Sequence, residues 1–228
     1  MAPSYLTDDR LSVGALVFAG VLISFRWHLL RPFITLIHEI GHALAAALLG
    51  GQPISITMSP DGSGLAITSH PSPSRFVRSC VSYAGELAPG LAALGGAAAL
   101  SADNAYAWLF LNSLVLLVVF IGLARSTSIT VVILFVLVGI GLYLFVWPWT
   151  APAIAGFLIG IWSFGGCRSA YEQMTGMRRM RLLGSKPRLY DAERVQQMTG
   201  VPAPVIAKSQ FIVSIALAIC VTYLVVLG

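Results

Sequence analysis

The stretch ITLIHEIGHALAAALLGG, residues 34–51, sets His38, Glu39 and His42 into an otherwise apolar helix. An ionisable group in a membrane-spanning helix costs about 3 kcal/mol on insertion scales, so a chain that keeps such groups together needs something to offset them. The run from His38 to His42 fits the pattern H-E-x-x-H. Residues four apart share one helix face, so both imidazoles can reach a single ion, while Glu39 sits beside them where it can take a proton from water. That is the arrangement metal-assisted hydrolysis needs, and composition alone would produce the pattern about once in a thousand such chains.

The chain around this stretch has 228 residues, 57% of them hydrophobic and 10% charged, with a mean hydropathy of +0.84. Such values exclude a soluble globular domain. Apolar runs occur at 11–30, 32–49, 76–100, 105–124, 129–147, 151–164 and 205–227. The expectation is an all-α polytopic membrane protein of six or seven transmembrane helices, with residues 1–228 forming one integral membrane domain. The run at 151–164 is short and bounded by Pro148, Pro152 and the pair Gly165 and Gly166, so it is expected to be tilted, broken or partly inserted.

The net charge of +5 lies in segments between apolar runs rather than on an aromatic-studded soluble face, which argues against nucleic acid and for a topology signal. One side would hold Arg10, Arg75, Arg78, Arg125, the cluster from Arg168 to Arg194, and Lys208; the other would hold Arg26 and Arg31. The basic side is then cytoplasmic, with the N-terminus inside and the C-terminus outside if all seven runs span. Cys80, Cys167 and Cys220 are isolated and indicate neither a disulfide framework nor a thiolate metal site. The start of the chain carries Asp8 and Asp9 in place of a basic n-region, so the first helix is expected to remain as an anchor.

Two segments depart from simple spans. Residues 53–70, after the H-E-x-x-H helix at about 32–50, alternate apolar positions around a Pro-Asp-Gly turn, the pattern of a β-hairpin. Ile54, Ile56, Leu65 and Ile67 are its candidate substrate-binding positions. The second is a basic cytoplasmic loop at about 166–205, in which Asp191 could cap a short helix that Gly200, Val201 and Pro202 would end before the final span at about 206–227.

A catalytic tetrahedral zinc takes three protein ligands and leaves one position open. Asp61 is explained by turn chemistry, and Glu172 and Glu193 lie among basic residues where water solvates them. Two candidates for the third ligand stay open. Asp191 could be brought back by a re-entrant segment before the last span. Glu86 stands about eleven residues beyond Arg75, or roughly 16 Å along a helix, close to the depth of His42 about 12 Å from its own helix end. His28 and His70 read as surface or interfacial groups, and Asn112 is a candidate oxyanion donor.

These motifs together, HEIGHALAAALLGG, PDGSG in a hairpin, YAGELAPG and the late YDAERVQQMTGVPA, resemble the small prokaryotic branch of the site-2 protease family of intramembrane zinc metalloproteases. The resemblance runs from about Pro32 to the C-terminus. It implies Zn2+ as cofactor, His38 and His42 as ligands, Glu39 as catalytic base and a distant Asp, here Asp191, as third ligand. It further implies a membrane-protein substrate cut in or near its transmembrane segment within the lipid bilayer, as in regulated intramembrane proteolysis. The location implied is a prokaryotic cell membrane, and the charge distribution adds the expectation that the site opens toward the cytoplasm. The alternative is a catalytically inactive scaffold or assembly partner of the same fold in a larger membrane complex. A metal transporter would instead carry several ligands along a path, which the other apolar runs lack.

Overall fold

The computed structural model describes residues 8–71, 74–146, 150–183 and 190–227. In chain order these form α1 (Asp8–Phe25), α2 (Trp27–Leu48), β1 (Gln52–Met58), β2 (Gly64–Ser69), α3 (Arg75–Ser101), α4 (Ala105–Val118), α5 (Thr127–Val146), α6 (Ala151–Leu183), α7 (Asp191–Thr199) and α8 (Ala203–Leu227). A π-helical turn, Val119–Leu123, continues α4. The expected helical bundle with one two-stranded antiparallel sheet is therefore present. Every one of the seven apolar runs is helical over most of its length.

The span count is lower by the measures of length and composition. Among the described residues, three helices are long and apolar enough to cross a membrane, at Ala105–Leu123, Ala151–Met177 and Ala203–Leu227. The bent pair α1 and α2, which turns by 110° at its break, makes up to four if counted as one span. The expectation of six or seven is not met on this criterion, for a packing reason visible in α3. That helix lies against α2, α6, α7 and α8 and buries Ser79, Gly85, Glu86, Pro89 and Gly90, so its polar and small residues face protein rather than lipid.

The sixth run does not stop at its glycine pair. The helix α6 runs for 33 residues, taking in the first half of the segment read as a loop at 166–205. Gly165 is kept helical by packing: a Cβ there would come within 2.4 Å of Ile34 Cδ1, so the small residue lets α6 approach α2. At about 1.5 Å per residue α6 is roughly 50 Å long, which exceeds a hydrocarbon core of about 30 Å and carries its basic last turns beyond it.

Three apolar clusters hold the bundle. The largest joins α1, α2, α3, α4, α6 and α8 through Leu16, Ile23, Ile34, Ala93, Trp108, Ile159, Val221 and their neighbours. A second, with Leu36, Ala43, Ile56, Leu116, Val119, Ile129 and Ile133, docks β1 and α5 against α2. The third fixes the short α7 between α6 and α8 through Met177, Ala192, Val195, Ala203, Ile206 and Ala207. The motif helix α2 therefore meets a different partner on each face.

The hairpin closes as its sequence indicates. Asp61 Oδ1 accepts from the Ser63 amide at 3.0 Å and the Ser63 hydroxyl at 2.6 Å, and Gly62 takes φ +76°. One of its four candidate side chains is corrected: Ile56 is fully buried in the second cluster, because a register shift between Pro53 and Ser55 turns it inward. Ile54, Leu65 and Ile67 stay exposed. The outer edge of β1 is occupied, since Ile56 O accepts from Arg125 N at 3.1 Å and Met58 N donates to Ser126 Oγ at 3.0 Å. The remaining edge, that of β2, faces α2.

Candidate metal centre and its cavity

Four-residue spacing on α2 brings the two imidazoles together, with His38 Nε2 3.0 Å from His42 Nε2. Asp191, the first residue of α7, closes the set. Its Oδ2 lies 2.9 Å from His38 Nε2 and 3.1 Å from His42 Nε2. Asp191 is free to do so because it is not the helix cap. Tyr190 holds that position, and its amide donates to Glu193 Oε2 at 3.2 Å, so Glu193 takes the capping role that the sequence suggested for Asp191. Gly200 ends α7 in the left-handed region at φ +79°, as expected from the sequence.

Glu86 goes elsewhere. Its Oε2 stands 3.5 Å from His38 Nδ1, on the ring edge opposite the nitrogen that meets Asp191, and accepts from Gln173 Nε2 at 2.9 Å. It backs His38 rather than joining the converging atoms. His42 has an equivalent backing: its Nδ1–H donates to the Val81 carbonyl at 2.7 Å. A carbonyl only accepts, so this bond fixes the tautomer and leaves the His42 Nε2 lone pair directed at the shared point. Gly85 makes room for that ring, since a Cβ there would fall 2.4 Å from His42 Nε2.

Gln173 ties these parts together. Buried on α6, it donates to Glu86 Oε2 and accepts at 3.3 Å from the amide of Ala192, the neighbour of Asp191. Nothing in its local sequence marks it, because its partners are contributed by α3 and α7. Glu39 lies beside the two imidazoles at 6% exposure, and its Oε2 accepts from the Ala66 amide on β2 at 2.6 Å. Gly64 permits that approach, for a Cβ there would meet Glu39 Cγ at 2.6 Å. Thr35 Oγ1 adds a bond to Gly62 O at 2.9 Å, pinning the turn to α2.

The donor set fits zinc. The ligating atoms of His38, His42 and Asp191 lie within 4.8 Å of one another and could hold a metal ion. Zinc–ligand bonds of about 2.0–2.1 Å in a tetrahedron separate ligands by about 3.3 Å, so the triangle of 2.9, 3.0 and 3.1 Å would accommodate the ion after a small outward shift of the three atoms. Without an ion the short contacts of Asp191 are hydrogen bonds from ring N–H groups, and a divalent cation would take the place of those protons, with both Nε2 lone pairs and Asp191 Oδ2 turned to it. Burial pushes the Asp191 carboxyl up, but hydrogen bonds from His38 and His42 and their charge outweigh it and hold the group well below the usual carboxylate range. Asp191 is thus an anionic donor on a helix outside the spans.

The cluster of His38, His42 and Asp191 opens into a cavity of about 810 Å³ lined by Thr35, Glu39, Gly64, Gln173, Tyr190 and Arg194 among others. Asn112 is not part of it. Its amide donates to the Trp108 carbonyl at 2.8 Å on α4, so it makes no oxyanion contact here. We expect Glu86→Gln to lower metal affinity about 10–100-fold without abolishing binding, as loss of an outer carboxylate partner does. Competition with a metallochromic chelator measures this.

The Peptidase M50B-like family model matches residues 11–222, which covers α2, the hairpin, α3 and α7 in one alignment. No match was found among curated proteins or among solved structures.

Proposed function

This chain belongs to the Peptidase M50B-like family, within the site-2 proteases, and from that premise we propose that it is an intramembrane zinc metalloendopeptidase. Its substrate is another membrane protein, cut in or near a transmembrane segment. The observation that carries the reading is the meeting of His38, His42 and Asp191, the last 153 residues from His38 in the chain, beside the carboxylate of Glu39. His38, His42 and Asp191 would hold the ion. When bound, zinc supplies Lewis-acid polarisation of a carbonyl and an acidified water.

The protein residues then divide the work. Glu39 accepts a proton as water oxygen adds to the scissile carbon, and returns it to the amide nitrogen as the C–N bond breaks, so one water is consumed per cut. The hydrogen bond from Ala66 N holds Glu39 Oε2 toward β2 and keeps the carboxylate beside the imidazoles. The edge of β2 away from β1, where Glu39 holds the Ala66 amide, leaves its other main-chain groups for an unwound substrate segment to add as a strand, with the exposed Leu65 and Ile67 flanking it. Backing of His38 by Glu86 and of His42 by Val81 O keeps each ring turned to the same point.

The remaining topology belongs to the same proposal. Six or seven helical segments are embedded, α2 and α3 being shielded from lipid by their neighbours. The basic side is cytoplasmic in a prokaryotic cell membrane, and the cavity opens toward it. A test follows from metal removal. In proteoliposomes carrying the zinc-loaded chain and a single-span substrate, stripping by a chelator should abolish the cleavage band and added Zn2+ should restore it. Cleavage that persists in the stripped sample overturns the reading.

A further inference from the structure

The edge of β2 away from β1 passes two cavities that meet at the candidate metal centre. Ser63, Gly64 and Leu65 line the larger one, while Ala66, Thr68 and His70 line a second of about 380 Å³. Among the described residues, His42 and Arg194 border both. A chain laid along β2 therefore crosses from one cavity to the other beside Glu39, which is bonded to Ala66 N. The two halves differ in charge. Glu39, Glu86, Glu172 and Asp191 stand around the first cavity with Arg31 and Arg194. The second contains no carboxylate among its described lining residues; it presents Arg78 and Arg194, with His70, Thr68, Ser82 and Gln197 as further hydrogen-bonding groups.

We propose that this second cavity is an acidic-residue subsite: it takes an Asp or Glu side chain of an extended peptide segment, on one fixed side of the bond held at the metal centre. At about 380 Å³ the cavity has room for an Asp or Glu side chain together with water that solvates it. At about 3.3 Å per residue, Thr68 and His70 lie two and four strand positions from Ala66, which places the acid about two to four residues from the point beside Glu39. Arg194 is partly engaged, its Nη1 being 3.8 Å from Asp191 Oδ1. Arg78 is exposed on the first turn of α3 and pairs with no carboxylate among the described residues. Among the described residues it is the cation of the subsite that no carboxylate engages. Cytoplasmic segments next to spans are commonly rich in Lys and Arg, which this subsite repels, so an acid there singles out a minority of membrane proteins.

The inference rests on the proteolytic reading for its substrate, but it can be tested by binding alone. Short, unstructured, fluorescently labelled peptides that differ only in carrying Asp, Asn or Lys at one scanned position are titrated into the zinc-loaded full chain in detergent, using Glu39→Gln to hold them uncut. Asp within a window of about two to four residues on one side should bind about fivefold more tightly than Asn, and Lys more weakly, the upper range for a solvent-accessible ion pair. Arg78→Glu should reverse the order, and Arg78→Gln should flatten it while keeping the Asn affinity. Equal binding of all three peptides, a preference that Arg78→Glu leaves unchanged, or occupancy by anionic lipid vesicles but not by the Asp peptides overturns the proposal. Cleavage by the wild-type chain is read separately. Charge preference in binding without any cleavage removes the protease and keeps the subsite, while cleavage without charge preference does the reverse.

Discussion

Glu39→Gln should reduce cleavage of a membrane substrate by about 10²–10⁴-fold while leaving zinc content unchanged. The size follows from removing a positioned general base. The retained metal follows from the geometry, because Glu39 is not one of the three atoms that meet at 2.9–3.1 Å, and the glutamine amide still offers an oxygen to Ala66 N. Isosteric replacement also leaves Gly64 its close contact with the side chain stem. Zinc by atomic absorption and cleavage by gel, on the same reconstituted sample, check both halves. A variant that loses its metal along with cleavage would make Glu39 a ligand or a structural anchor. A variant that cleaves at the wild-type rate would return the chain to the reading of a protease-like scaffold with no catalytic role.

The second large effect is on the metal itself. Asp191→Ala should leave the purified chain without stoichiometric zinc, since it removes one of three converging donors and the only anionic one among them. The loss should greatly exceed the 10–100-fold expected for Glu86→Gln, and the contrast separates a donor from a residue that backs one. The helix α7 is anchored independently by Ala192 and Val195 in the third apolar cluster and capped through Glu193. Circular dichroism of Asp191→Ala should therefore stay close to that of the wild-type chain. Retention of zinc in Asp191→Ala with loss in Glu86→Ala would reverse the assignment.

Parts of this site could be read before any packing was known. The pairing of His38 with His42 is local geometry: four residues make just over one helical turn, so any helix through this stretch presents both rings on one face. The hairpin was equally local, because Asp61 and Gly62 carry the turn chemistry themselves. Other features were obscured by local signals that tertiary contacts overrode. Gly165 and Gly166 look like a helix end, yet α6 passes through them because a small residue is what its contact with Ile34 requires. Ile56 fits an alternating exposed strand, yet the register shift at Pro53 and Ser55 turns it into the core. Hydropathy also carries no record of packing, such as that of α3 against α2, α6, α7 and α8.

The sequence by itself determined a membrane-embedded helical chain with two imidazoles and a carboxylate on one helix, since periodicity and composition act over a few residues at a time. The tertiary structure alone decided that Asp191 meets those imidazoles while Glu86 backs one of them and Gln173 ties the two carboxylate-bearing elements together. Residues 153 positions apart acquire a 2.9 Å separation only through the packing of α3, α6, α7 and α8, and no local preference encodes that distance.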